Sequence, residues 1–298
     1  MLTLFTTPKP FKGHIGIIQE NAIKSWTQMF PDCEIILFGK EEGTAEISSA
    51  NNLVHVENVA CNEYGTPYIN SMFELAQEYS QNKTLCYVNS DIILFRTILP
   101  YIRAINFEKY LMIGQRFDAD IIQSINFNDV LWEKKLTDTI MPTGKLHSPA
   151  GLDYFIFPKG TFKDIPPFSV GRPGWDNWMV YYAKSHKIPV IDGTPKILAV
   201  HQNHDYSHHK GGQQGVFCGD EAKKNIEMLG GWEYSFNAWN AEWILTDIGI
   251  KPARDRKYLV GTINAIPVLV PGLKFLNFPK KALYKISQIL KKRGANLE

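Results

Sequence analysis

Over its first 115 residues this 298-residue chain alternates between strand-length apolar runs and helical stripes, a pattern that admits few architectures. Leu2–Phe5 is a short apolar run that stops at Thr6-Thr7-Pro8. From Ile15 to Phe30 the apolar residues Ile15, Ile18, Ala22, Ile23, Trp26 and Met29 recur at the spacing of one helix face. Pro31-Asp32 ends that stripe, Glu34–Phe38 reads as a buried strand closed by Gly39, and Leu53–Val59 alternates like a strand. Pro67 opens a second helix through Met72, Leu75, Ala76 and Tyr79, where its missing N–H costs little. Thr84–Phe95, interrupted at Asn89-Ser90-Asp91, and Leu111–Gly114 follow as strands. Strands separated by helices predict an α/β fold, a mostly parallel sheet with helices on both faces. Ligands of such sheets sit beyond the carboxyl ends of the strands.

Residues 116–215 carry shorter elements among many Pro, Gly, Trp and His residues: strands within Asp153–Pro158 and Pro189–Val200, and a helix over Trp175–Ser185. No Ser- or Gly-rich linker and no repeat of 20–50 residues divides the chain. The expectation is one catalytic domain over 1–257 and an apolar, basic tail over 258–298. Charge supports a division near there. The formal net charge of +2 conceals 11 basic and 2 acidic residues from Lys251 onward, against 21 basic and 28 acidic before it. A body carrying −7 is not built around a nucleic-acid backbone. In the tail, Leu283, Ile286 and Leu290 share one helical side within Lys280–Arg293, with Phe275, Leu276 and Phe278 upstream. That pattern fits a helix on an anionic membrane, and equally a helix packed on its own domain with a solvated basic face. The four cysteines form no framework, and Met1–Lys9 lacks the charged segment and apolar run of a signal peptide. A free-thiol cytoplasmic protein is expected, at the cytoplasmic face of a membrane if the tail docks.

Three segments carry candidate chemistry. In Leu85–Phe95 an apolar strand delivers Asn89, Ser90 and Asp91 at its end, where a carboxylate either holds a hard divalent cation or caps a turn. In Lys196–Gly212 a strand delivers His201, followed by His204, His208, His209 and Lys210, so four of the eight histidines fall within nine residues. An imidazole metal ligand with a lysine on a diphosphate, a closed zinc site and an ordinary polar loop all remain open there. In Asp164–Trp178, Trp175 and Trp178 flank Asp176. Tryptophan faces beside a carboxylate suit a sugar ring, and Asp176 can take the proton of an acceptor hydroxyl. The competing reading makes Asp176 a helix cap and puts the tryptophans in the core. Asp118-Ala119-Asp120 ranks behind Asn89-Ser90-Asp91 as a metal site. Asp153 enters a strand where it contacts substrate or turns the chain. Thr6, Thr7 and Lys9 end the first strand, where a nucleotide commonly lies.

In joint order over about residues 2–215, these features resemble the GT-A class of nucleotide-sugar glycosyltransferases. The resemblance rests on the first strand ending in Thr6-Thr7-Pro8, the DxD-like Asn89-Ser90-Asp91, the Trp175-Asp176-Asn177 segment and the late strand ending in His201. Asp153–Pro158 and Gly171–Trp178 are similar to a poorly characterised branch of such proteins. The resemblance implies Mn²⁺ or Mg²⁺ on Asp91 and His201, with Asn89 replacing the usual first acidic residue. It also implies Lys210 on the diphosphate and the nucleotide near Thr6, Thr7, Lys9 and Ser90. Asp153, Trp175, Asn177 and His204 would contact substrate, with Asp176 as base of an inverting transfer. The implied partners are a nucleotide-sugar donor and a saccharide or lipid-linked saccharide acceptor. A nucleotidyltransferase and a glycan-binding protein without turnover are the alternatives. The first has no Gly-rich phosphate loop after the first strand to support it, only Pro8-Lys9-Pro10-Phe11.

Overall fold

In the computed structural model, which describes residues 1–205, 211–270 and 272–273, the predicted alternation becomes a nine-stranded sheet. Its first strand, β1 (Leu2–Thr6), is buried along its whole length, so it reads as an unbroken apolar run rather than an alternating one. In chain order follow α1 (Gly13–Thr27), β2 (Cys33–Phe38), α2 (Thr44–Ala50), β3 (Val54–Val56), α3 (Ile69–Tyr79), β4 (Thr84–Val88), β5 (Ile92–Ile93), α4 (Ile98–Arg103), β6 (Leu111–Gln115) and β7 (Phe117–Ala119). The second half comprises α5 (Trp132–Ile140), β8 (Lys145–Leu146), β9 (Leu152–Pro158), α6 (Trp175–Ser185), β10 (Val190–Asp192), β11 (Val200–Gln202), α7 (Gly212–Cys218), α8 (Asp220–Leu229), β12 (Trp243–Thr246), β13 (Gly249–Pro252) and α9 (Arg256–Leu269).

The large sheet runs β13-β12-β10-β6-β9-β4-β1-β2-β3. It is mostly parallel, as expected; β9 lies antiparallel between β4 and β6, and β13 closes a hairpin at one edge. Alternate side chains feed two cores. On β9, Phe155 and Phe157 face the core that receives α3 and α6, while Tyr154 and Ile156 face the core that receives α1 and α4. Helices therefore cover both faces. Each large side chain buried this way contributes about 1.5–3 kcal/mol, an upper range because the unfolded chain is itself partly collapsed.

A second sheet, β5-β11-β7-β8, does not emerge from the sequence pattern. It forms because β4 and β6 each pass beyond the large sheet and continue as β5 and β7, and β11 inserts between the continuations. The polar residues at those crossings are thereby brought together. Trp26 of α1 fixes one crossing: its indole is fully buried and its Nε1–H donates to the Ile92 carbonyl at 2.9 Å. The expected boundary at residue 258 falls inside α9, whose N-terminus is capped by the Asp255 side chain accepting from the Tyr258 N–H. Gly261 lets this helix close on the body, since a Cβ there would lie 2.1 Å from the Trp239 carbonyl oxygen. Residues 256–269 are thus docked on the domain, and the Lys280–Arg293 segment lies outside the described residues. All four cysteines are free thiols, and among the described residues no helix is long and apolar enough to cross a membrane.

Candidate functional site

Asp91, His201 and His204 meet where β4 passes into β5 and β11 runs out of the small sheet, each offering a ligand atom within 4.8 Å of the others'. The meeting is set by backbone pairing. His201 lies opposite Ile92 across the β5–β11 pair and opposite Asp118 across the parallel β7–β11 pair. The fully buried Gln202 clamps the turn, its Nε2 donating to the carbonyls of Ile18 at 2.7 Å and Asp91 at 3.1 Å.

Among the described residues, two atoms here lack hydrogen-bond partners. Asp91 Oδ1 and His201 Nδ1 are buried without a hydrogen bond; Nδ1 lies 3.3 Å from Asp118 Oδ1, off the hydrogen-bonding direction. Asp91 Oδ2 faces His204 Nε2 at 3.1 Å, and His204 Nδ1 faces the Asp205 carbonyl at 2.6 Å. The carbonyl requires the proton on Nδ1, so a neutral imidazole turns the Nε2 lone pair toward the carboxylate. Two acceptors held at that distance need a proton or a cation between them. Burial pushes the Asp91 carboxyl up, but the His204 contact and the charges of His201 and Lys9 outweigh it and hold the group well below its ordinary range. Burial pushes His201 down, toward the neutral imidazole that ligates metals. One carboxylate and two imidazoles, with two buried atoms unpartnered among the described residues, fit a divalent cation.

Around this cluster lies a closed polar chain. The Tyr87 hydroxyl donates to Asn89 Oδ1 at 2.9 Å, and Asn89 Nδ2 donates to Asp153 Oδ1 at 2.5 Å. Arg116 then bridges two carboxylates, NH1 to Asp153 Oδ2 and Nε to Asp118 Oδ1, both at 2.9 Å. His147 Nδ1 meets Asp118 Oδ2 at 2.6 Å. These contacts bear on two expectations. Asn89, expected as a metal ligand, has both ends of its amide engaged in hydrogen bonds. Asp153, expected on substrate, has each oxygen committed to a neighbour.

At the end of β1, Lys9 is held by a reciprocal pair with Gln19: its N–H donates to Oε1 at 2.6 Å, and its carbonyl accepts from Nε2 at 2.8 Å. Ser90 Oγ also donates to Gln19 Oε1, at 2.9 Å. The Lys9 ammonium makes no ion pair among the described residues, and burial lowers it while Asp91 and Asp153 draw it the other way. Thr6 Oγ1 is buried without a partner, whereas Thr7 Oγ1 donates to the Phe38 carbonyl. Lys210, His208 and His209 lie outside the described residues.

Asp176 stands in the first turn of α6, after Gly174 in the left-handed conformation (φ 101°) that lets the chain turn into the helix. Burial and the nearby Asp153 push its carboxyl up to about 7, although N–H groups of the helix start oppose the rise. Asp91, Asp153 and Asp176, far apart in the chain, all act on the buried Tyr87 hydroxyl, whose ionisation burial already opposes. The neighbours of Asp176 pack into the protein. Trp175 is 4% exposed, its ring edge-on to Tyr87 at 5.0 Å. Trp178 packs on Phe168 and Tyr182. Asn177 donates to the Phe236 carbonyl at 2.7 Å. Trp175, expected to stack on sugar, packs in the core, and Asn177, expected on substrate, anchors a loop.

Asp120 is exposed and accepts from Asn203, so the literal DxD string does not assemble a second cluster; its Asp118 belongs to the polar chain. Beside His204 opens a cleft of about 640 Å³, lined by Lys12, Gly13, His14, Ile15, Asn203, His204 and Asp205. Sequence reasoning missed Gln19, Gln202, Arg116 and His147. The one local signal was an arginine two residues before an aspartate at a strand junction; the glutamines sit on positions a helix or strand pattern marks as ordinary polar.

No family model matches the chain, and no curated protein matches it. Solved structures do. The glucosyl-3-phosphoglycerate synthase of Mycobacterium tuberculosis with Mn²⁺, uridine diphosphate and glucosyl-3-phosphoglycerate is 12% identical, over 79% of this chain and 80% of that one, with a TM-score of 0.47. The same synthase with Mg²⁺ and uridine diphosphate is 11% identical over 79% of each chain, with a TM-score of 0.45. S. aureus TarS 1–349 with UDP-GlcNAc is 15% identical over 42% of this chain and 37% of that one, with a TM-score of 0.31. The chain spans 39% of the length of TarS 1–349 and 22% of the longer TarS structure.

Proposed function

We propose that this chain is a metal-dependent glycosyltransferase of the GT-A type, moving a sugar from a nucleoside diphosphate donor to a hydroxyl of a saccharide or lipid-linked saccharide. The observation that carries the reading is the convergence of Asp91, His201 and His204 at strand ends, with two buried atoms left unpartnered among the described residues.

Asp91, His201 and His204 would hold Mn²⁺ or Mg²⁺; when bound, the cation supplies positive charge opposite the departing diphosphate. Lys9, a half-buried lysine without an ion pair among the described residues, adds charge at the same end, and Lys210 is proposed to meet the diphosphate from the following segment. Thr6, Thr7 and Ser90 border the nucleotide. Asp176 takes the acceptor hydroxyl proton as the oxygen attacks the anomeric carbon, so the sugar–diphosphate bond breaks from the opposite face and the configuration inverts. The Asp176 carboxyl is suited to this because a base titrating near the working pH combines availability with driving force. The basic tail beyond residue 273 is the proposed membrane contact for a lipid-linked acceptor.

Titration calorimetry with a panel of nucleotide sugars, with and without Mn²⁺, tests the reading; uridine diphosphate and its sugars, with Mn²⁺ and Mg²⁺, are the first probes. Metal-dependent donor binding with slow hydrolysis is expected, and Asp91→Ala should weaken it on the order of 100-fold or more. Binding of free glycans alone, indifferent to metal and to Asp91→Ala, would refute the proposal.

A further inference from the structure

Helix α9 is apolar on two sides, and the fold accounts for only one. Its inner side is closed against the body by Gly261 and the buried Ala265, with Val268 and Leu269 packed on the core. Asn240 Nδ2 adds a bond to the Gly261 carbonyl at 2.9 Å. The outer side presents Leu259, Ile263, Ile266 and Val270, at 55%, 60%, 36% and 45% exposure, in a continuous stripe. A water-facing helix normally carries polar residues on that side. This one carries four large aliphatic residues in line, which marks a surface that something covers.

The charge around the stripe says what. Arg254, Arg256 and Lys257 are exposed at the start of the helix, with Lys251 on the strand before it. From residue 251 onward the chain holds 11 basic and 2 acidic residues, while the rest of the protein is net acidic. An aliphatic stripe flanked by arginine and lysine, leading into a further basic and apolar sequence, is the composition of a helix that lies in a lipid headgroup layer. A second copy of this chain or another protein would be expected to meet it with an apolar patch ringed by acid; a bilayer with anionic headgroups offers both at once.

We propose that α9 is an interfacial docking helix, with Leu259, Ile263, Ile266 and Val270 entering the acyl boundary of an anionic bilayer and Arg254, Arg256 and Lys257 lying on its phosphates. The helix is also joined to the candidate site. It packs on Trp239 and Asn240; the adjoining Ala238 N–H donates to the Pro149 carbonyl, and Phe236 accepts from Asn177, the residue after Asp176. Docking through α9 thus holds the segment that carries Asp176 in a constant relation to the bilayer. The inference stands apart from the transferase reading, because vesicle binding and donor binding are measured independently.

The test is flotation of the full chain with vesicles of phosphatidylcholine alone or mixed with phosphatidylglycerol. Binding to the mixed vesicles, lost at high salt, is expected. The double substitution Leu259→Glu and Ile263→Glu, on exposed positions, should weaken it at least about ten-fold, with thermal unfolding and nucleotide-sugar binding unchanged. Leu283→Glu with Ile286→Glu in the tail serves as the contrast. The proposal is overturned if the unmodified chain does not float, or if the α9 variant floats undiminished. It is equally overturned if only the tail variant loses binding, or if the α9 substitutions merely dissociate an oligomer in sedimentation while vesicle binding persists.

Discussion

Two adjoining polar regions of this molecule are buried to a similar degree and finished in opposite ways. The chain Tyr87–Asn89–Asp153–Arg116–Asp118–His147 is internally satisfied, with every carboxylate oxygen in it engaged by a neighbour. The cluster of Asp91, His201 and His204 does not close. Among the described residues it leaves a carboxylate oxygen and a ring nitrogen unpartnered, beside a lysine without an ion pair. An unpaired buried polar atom costs about 1–3 kcal/mol, more when charged, so a buried carboxylate oxygen and ring nitrogen left open side by side favour a ligand that completes them. The first region is satisfied from within; the second is the one proposed to receive a ligand.

The largest effect is expected on the open side. Asp176→Asn should reduce sugar transfer by about 100- to 10,000-fold while sparing metal-dependent donor binding, as read by product formation against calorimetry. Transfer by the unaltered protein should rise through about pH 7 as this carboxyl ionises. Normal turnover by the variant would remove Asp176 as base.

Next comes a cut through the closed side. Arg116→Ala leaves Asp118 and Asp153 facing each other's neighbourhood without their shared cation, and should cost about 3–5 kcal/mol in urea unfolding. A stability loss no larger than that of an ordinary surface substitution would break the contrast.

Asp118 lies on the border, in the closed chain yet within 3.3 Å of His201 Nδ1. Asp118→Asn should weaken Mn²⁺ binding about 10-fold by loosening the orientation of His201, measured by calorimetry on protein whose circular dichroism is unchanged. Unaltered affinity would confine Asp118 to the scaffold.

The smallest effect is a slope. The folded protein keeps a proton on Asp176 up to about pH 7, whereas an unfolded chain releases it near the ordinary carboxyl value of about 3.9. The native state therefore binds more protons in that window, and this residue's contribution to stability falls as pH rises from about 4 to about 7. Asp176→Asn should flatten that part of the stability–pH profile; an unchanged slope would mean that the carboxyl titrates normally.

Much of the scaffold was legible from residue order. The stripe from Ile15 to Met29 became α1, and Glu34–Phe38 became part of β2, because burial of a periodic apolar face leaves little choice of conformation. Asp91 and His201 stood out for the same local reason: each is a polar residue that a strand delivers at its end. Trp175 and Asn89 misled because residue type alone cannot tell which way a side chain is used. The indole that suited a sugar fills the gap between Tyr87 and Phe155, and the amide that suited a metal ties Tyr87 to Asp153. The outer stripe of α9 lay inside the expected apolar, basic tail over 258–298, where the amphipathic pattern was read further on, at Leu283, Ile286 and Leu290.

By itself the amino-acid order determined the alternating α/β scaffold, the acidic body with its basic end, and the polar residues that strands carry to their tips. These follow from periodicity and charge, which are properties of neighbours in sequence. Only the tertiary structure decided that His204 joins Asp91 and His201, that Arg116 binds two distant aspartates, and that Asp176 is pushed up to about 7. Each depends on the second sheet and on burial by remote segments, and electrostatics in a low-dielectric interior is set by what lies across space rather than along the chain.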